Sequence, residues 1–172
     1  MTGMAALAAL DAETQQEAEA ELLACCASPR WAAEVAARRP YSDLDTLQRV
    51  GDAALAALGW TDVLQALAAH PRIGQRPPSG GREAGWSRSE QAAAAGQIGE
   101  DERLGAELAA GNAEYERRFG HVFLICATGR GAAEVLAALR ERLGNDEASE
   151  RAVVREELRQ IVRLRLARLV TP

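Results

Sequence analysis

The stretch Glu147–Leu169, EASERAVVREELRQIVRLRLARL, decides the fold class. It contains neither Gly nor Pro, and Leu158, Ile161, Val162 and Leu169 recur at helical spacing, so one stripe of a long helix is apolar. Arg165 falls inside that stripe, whereas Arg159 and Arg163 point elsewhere. An Arg on an apolar face must snorkel, pair or bind something, because burying its charge unpaired is very unfavourable. The residues alone leave all three readings open.

The same texture extends upstream. Gly144-Asn145 is a turn, a helix is predicted from about Ala132 to Leu143, and Gly129-Arg130-Gly131 is another turn. His121–Ala127, HVFLICA, is a short apolar run that period alone assigns neither to a buried extended segment nor to a helix start. A helix is expected from about Ser87 to Phe119, with a break near Gly96–Gly99. Toward the N-terminus, Ala12–Ala27 has a helical rhythm. Ser28-Pro29 reads as an N-cap followed by Pro at the first helical position, opening a helix to about Arg38 that Pro40 ends. Ser42 with Asp45 resembles a capping pair for a helix from Asp43 to Leu58, Gly59 stands where a C-cap belongs, and Thr61 can cap a short helix from Asp62 to Ala69. Only Pro71–Trp86, PRIGQRPPSGGREAGW, breaks the pattern. Its three Pro and four Gly predict a long loop. The expectation is therefore all-α: a single-domain helical bundle over residues 1–172, of about seven to nine helices with one long Pro/Gly-rich loop.

Composition narrows the function. The 172 residues suffice for one domain with a sizeable core. Aromatic residues make up only 4%, so that core must be built from Ala, Leu and Val, which favours close-packed helices. The net charge of -5 and the lack of a basic run argue against nucleic acid, and no stretch is apolar enough for a membrane span. The positive charge is carried by Arg, which fits a GC-rich coding habit before it fits any chemistry. Three cysteines, Cys25, Cys26 and Cys126, have no zinc spacing and form no even set, so a reducing, cytoplasmic setting is expected. The N-terminus has no basic region of the kind that opens a signal peptide.

Few side chains can carry chemistry. His70 precedes Pro71, which biases it away from helical backbone angles and turns it toward the loop. It is either a helix cap or a proton carrier. His121 is the weaker candidate of the two histidines. Ser87 and Glu90 have capping-box spacing, and with Gln91 they would offer a hydroxyl, a carboxylate and an amide at a helix N-terminus, a place suited to an anion. P-loop, dinucleotide and nucleophile-elbow motifs are absent, as is metal-ligand spacing. A His, a Glu and an Arg without metal or cofactor leave proton transfer, hydrolysis or decarboxylation of a small polar anion.

Four blocks in order carry a resemblance. His70-Pro71-Arg72-Ile73-Gly74 is similar to a His-Pro-x-(Leu/Ile)-Gly motif, and Ser87-x-x-Glu90-Gln91 to a Ser-x-x-Glu-Gln motif. Asn112-x-x-Tyr115-x-x-x-Phe119-Gly120 with Phe123-Leu124-Ile125 is similar to a third block, and Leu164-Arg165-Leu166 to a C-terminal Arg-Leu. Together, over roughly Leu47 to Leu169, the chain resembles the 2-oxo-4-hydroxy-4-carboxy-5-ureidoimidazoline (OHCU) decarboxylases. The stretch Gln75–Trp86 has no counterpart in that pattern.

The resemblance implies a cofactor-free, metal-free carboxy-lyase that converts OHCU to (S)-allantoin in urate degradation. It implies His70 and Glu90 as the catalytic pair. It implies Pro71, Ser87, Gln91, Phe123, Leu124, Ile125, Cys126, Ala127 and Arg165 as substrate contacts, and a homodimer as the assembly. Val170-Thr171-Pro172 is not a peroxisomal tripeptide, in line with the cytoplasmic expectation. Two rivals remain at this point. A hydrolase of ureido compounds would release ammonia or urea and would in most cases want a metal. A non-catalytic all-α interaction module would use His70 as a cap, Ser87/Glu90 as a capping box and Arg165 as a snorkelling residue.

Overall fold

Ser28 and Pro29 act as their order predicts: the Ser28 hydroxyl accepts from the Trp31 N–H at 3.3 Å, and Pro29 is the first residue of a helix. In the computed structural model, residues 2–75 and 81–171 are described, and they form ten helices with no strand. These are α1 (Thr2–Ala12), α2 (Gln15–Leu23), α3 (Pro29–Ala37), α4 (Leu44–Ala56), α5 (Trp60–Leu67), α6 (Arg82–Glu90), α7 (Ala92–Glu100), α8 (Glu102–Phe119), α9 (Ala132–Arg142) and α10 (Glu147–Val170). The protein is all-α.

Several boundaries differ from the sequence expectation. The Ala12–Ala27 rhythm belongs to two helices, because Thr14 caps α2 reciprocally with Glu17: its hydroxyl accepts from the Glu17 N–H, and the Glu17 carboxylate accepts from the Thr14 N–H. Asp43, not Ser42, caps α4, accepting from the Thr46 N–H at 2.7 Å. α4 stops at Ala56, three residues short of Gly59. The break expected near Gly96–Gly99 lies instead at Gln91, which separates α6 from α7, and at Asp101, which caps α8 by accepting from Leu104 N–H. The second half of the long loop is helical, since α6 already begins at Arg82, with Gly85 inside it. Of the expected loop, residues 76–80 lie outside the described residues.

The residues group into two compact units. One comprises Met1–Ala66 and Arg159–Pro172, the other Leu67–Leu158. In the first, α2, α3 and α4 pack around Leu22, Trp31, Val35, Leu47 and Leu166, all fully buried. The Trp31 indole donates to the Gly51 carbonyl at 3.0 Å, so its polar atom is satisfied inside the core. In the second, Leu108, Tyr115, Phe123, Ile125, Val135, Leu136 and Leu139 form one apolar cluster. The helices α8 and α9 approach so closely at Gly111 that a Cβ there would stand 2.6 Å from a Leu139 methyl. Gly120, in left-handed conformation at φ 79°, ends α8 and turns the chain into the apolar run.

Candidate active site

The second unit holds two irregular stretches, and the His70–Gly74 motif and the Phe123–Ile125 residues sit on them. The first begins where α5 ends. The His70 N–H donates to the Leu67 carbonyl at 3.0 Å, and His70 and Pro71 are both half-buried. The next residues form a tight turn, with the Gln75 N–H donating to Arg72 O at 3.1 Å and Gly74 at φ 90°, where a side chain would be strained. Three side chains hold this turn. Asn112 donates its amide to Ile73 O at 3.2 Å, Gln91 Oε1 accepts from the Gly74 N–H at 3.2 Å, and Glu116 takes the Arg72 guanidinium at 2.6 and 3.1 Å. A cavity of about 320 Å³ opens beside the turn, lined in part by Gly74, Ile98, Leu108 and Asn112, so hydrogen bonds rather than packing fix it on that side.

Ser87 and Glu90 lie on the inward face of α6 with Ala84, three residues apart each time, and all three are buried. This corrects the capping-box expectation. α6 starts at Gly81 without a side-chain cap, and Ser87, Glu90 and Gln91 stand at its C-terminal end. The end of α6 there has the opposite dipole sign from the one expected, and Gln91 at the same time is the N-cap of α7. What the motif supplies is a buried hydroxyl and a buried carboxylate on one helical face.

The second stretch, Phe123–Ala127, is buried throughout and is neither helix nor strand. Buried backbone polar groups need partners, and here charged side chains supply them. Arg142 Nη1 donates to Leu124 O at 2.7 Å, and Glu157 Oε2 accepts from the Cys126 N–H at 2.9 Å. Arg142 also lies 4.5 Å over the Phe123 ring and pairs with Glu150 at 2.6 Å, both side chains being almost wholly buried. Glu150 in turn accepts from Tyr115 Oη at 2.6 Å and from the Asn145 amide at 3.0 Å. That carboxylate, together with burial, raises the Tyr115 hydroxyl above its ordinary range, with burial the larger cause. The Cys126 thiol is also raised, by burial first and then by the nearby Glu157 and Glu90 carboxylates. Glu90 and the apolar run thus share one neighbourhood, as do Gln91 and the His70-Pro71 turn.

Arg165 belongs to the first unit. It is 4% exposed and donates to Ala24 O at 3.3 Å, so it does not snorkel. Beside it, burial pushes the Cys26 thiol up to about 12 even though the Arg165 charge opposes that shift. Arg159 and Arg163 do point away from the stripe, and both pair with Asp52. His121 is half-buried against the edge of Tyr115, ring centroids 5.5 Å apart, with Nδ1 3.0 Å from Val122 O. Among the described residues no group of three or more His, Cys, Asp and Glu side chains is arranged for a metal ion.

Sequence reasoning passed over Arg142, Glu150 and Glu157. The signal was present in the opening stretch: Glu150 lies eight residues before Leu158, on the stripe that carries Val154, Leu158 and Arg165. A carboxylate on a buried stripe asks the same question as an Arg there.

Comparison with known proteins bears on the same segments. A sequence model of the OHCU decarboxylase family matches residues 11–167. The uric acid degradation bifunctional protein of Arabidopsis thaliana is 35% identical over 153 residues, 88% of this chain and 47% of its own length. The OHCU decarboxylase of Amia calva is 37% identical over 107 residues, 59% of this chain and 57% of its own. The chain thus spans about half the length of these two curated relatives. A crystal structure of OHCU decarboxylase in the presence of (S)-allantoin superposes with a TM-score of 0.77 at 31% identity, covering 88% of this chain and 98% of that one. With the matched region running through nearly the whole sequence, the chain belongs to the OHCU decarboxylase family.

Proposed function

We propose that this protein decarboxylates OHCU to (S)-allantoin without a cofactor, with His70 and Glu90 as the proton-handling pair. The observation that carries the reading is the buried Glu90 carboxylate beside the Cys126 segment, next in sequence to the Gln91 that grips the His70-Pro71 turn. A solved relative crystallised in the presence of (S)-allantoin supports the same chemistry.

The substrate has a carboxylate and a hydroxyl on one ring carbon, next to the carbon that bears the ureido group. When the bond to the carboxylate breaks, carbon dioxide leaves and the electron pair forms an enol double bond to the ureido-bearing carbon, while that carbon's double bond to the ring nitrogen opens and the nitrogen takes a proton. The hydroxyl proton then goes, its oxygen becomes the product carbonyl, and the ureido-bearing carbon takes a proton from one face. A His can move a proton either way near neutral pH. His70 takes that role, and Glu90 orients the ring or the imidazole. Ser87, Gln91, Pro71 and the Phe123–Ala127 backbone fix the plane of the ring. Arg165 stabilises an oxygen that gains charge as carbon dioxide leaves; a tight pair with the departing carboxylate would favour the ground state and slow the reaction.

The active assembly is proposed to be a homodimer, twice the 18.4 kDa of one chain, acting in the cytoplasm. The three buried cysteines, none of them in a disulfide, support a reducing compartment. Residues 1–172 act as one functional domain, a reading supported by a family match that runs through both units.

The test generates the substrate in situ from urate with urate oxidase and hydroxyisourate hydrolase and follows the circular dichroism of the allantoin. Fast formation of one enantiomer, lost in a folded His70→Ala variant, is the expected result. A slow racemic background with the wild-type protein would refute the activity. A near-normal rate in His70→Ala would remove His70 from the mechanism.

A further inference from the structure

The segment Phe123–Ala127 has a physical problem that its own residues do not solve. It is buried, it lacks helix and strand partners, and the proposed function asks it to hold a fixed position against a ring. Apolar packing by Phe123 and Ile125 restrains it only loosely along the chain direction, because packing is not directional. Hydrogen bonds at defined backbone atoms are. Two side chains provide them: Arg142 at Leu124 O and Glu157 at Cys126 N–H. The two anchors differ in context. Arg142 is locked into the buried Glu150 network, so its removal endangers the fold. Glu157 is only half-buried, and its carboxylate accepts from the Cys126 N–H.

We propose that Glu157 is a positioning residue of the site, whose carboxylate fixes the Cys126 end of the Phe123–Ala127 segment by accepting its N–H. The inference rests on the proposed function only for what the segment contacts; the pinning itself is a statement about one amide. A bond from an N–H to a carboxylate is roughly twice as strong as one to a neutral acceptor. Released, the segment shifts at the end nearest Glu90, and a displacement of about 1 Å at a reacting ring lowers the rate by as much as ~100-fold. Glu157 also adds a second carboxylate, besides Glu90, near Cys126. The alternative role, charge alone, therefore has to be separated from the hydrogen bond.

Two variants do this. Glu157→Gln keeps an acceptor oxygen and removes the charge; Glu157→Ala removes both. The expected result is that E157A raises KM and lowers kcat/KM about tenfold to 100-fold, while E157Q recovers most of it. Loss of folded protein alone would lower the apparent kcat and leave KM in place. In parallel, amide hydrogen exchange at Cys126 should be slow in the wild type and in E157Q and fast in E157A, with the α8 and α9 amides unchanged. Unaltered KM and kcat in E157A, equal losses in both variants, or unchanged exchange at Cys126 would each overturn the proposal. The exchange measurement needs no substrate. An inactive wild-type protein would therefore refute the decarboxylase reading while the Cys126 amide still decides the role of Glu157.

Discussion

The turn at Pro71–Gln75 and the run at Phe123–Ala127 are both irregular backbone in the same unit, yet they are held by different physics. The turn is gripped at the surface, by an exposed Arg72–Glu116 pair, by the Gln91 amide and by one buried bond from Asn112. The run is gripped from inside, by an almost fully buried Arg142–Glu150 pair that also satisfies Leu124 O. Exposed ion pairs are screened by water and contribute little, whereas a buried pair becomes a large liability once one partner is removed. The run should therefore be the part whose loss unfolds the unit. The turn, which carries His70, should be adjustable with small effects on stability.

Glu150→Ala gives the largest expected effect. It strands a buried guanidinium together with the Tyr115 hydroxyl and the Asn145 amide, so urea unfolding should report a loss of about 3–5 kcal/mol. The apolar pair Arg142→Met with Glu150→Leu should recover only part of that loss: no charge is left buried, but Leu124 O and Tyr115 Oη lose their partners. Little loss in Glu150→Ala would mean that the inner grip is no stronger than the outer one. Next comes Asn112→Ala, which removes the one buried bond to the turn, at Ile73 O; about 1–3 kcal/mol is expected in the same assay. Arg72→Ala should change the unfolding midpoint least, and the change should shrink further at high salt. A loss rivalling that of Glu150→Ala would erase the contrast between the two segments.

The sequence was most legible where a helix announces itself with its own side chains. Ser28-Pro29 caps α3 locally, and the Gly129–Gly131 turn and the start of α9 follow from glycine. It was least legible where local chemistry is ambiguous. Ser-x-x-Glu is both a capping box and an i, i+3 pair on one face of a helix. At Ser87 and Glu90 only tertiary burial tells the two apart, and the helix that carries them starts at a glycine with no side chain to signal it. The motif residues Gln91 and Asn112 could be picked out, but their joint grip on the turn after His70 links residues up to 39 apart along the chain. Arg142 with Glu150 escaped notice for a related reason: a charged residue in a helix looks solvated until the neighbouring element covers it.

The cysteines described earlier provide a clock for each unit. Cys25 and Cys26 are buried in the first unit and Cys126 in the second, and none forms a disulfide. Cys26, pushed up to about 12, stays protonated and silent toward alkylating reagents while its surroundings hold. Its raised value also has a thermodynamic side. A thiol that holds its proton more tightly when folded contributes stability that is complete below the ordinary value of 9.0 and fades as the pH climbs toward 12. At neutral pH, then, each thiol becomes reactive only when its own unit opens. Mass-resolved labelling of Cys25 and Cys26 against Cys126 would time the breathing of the two units separately, in the native protein.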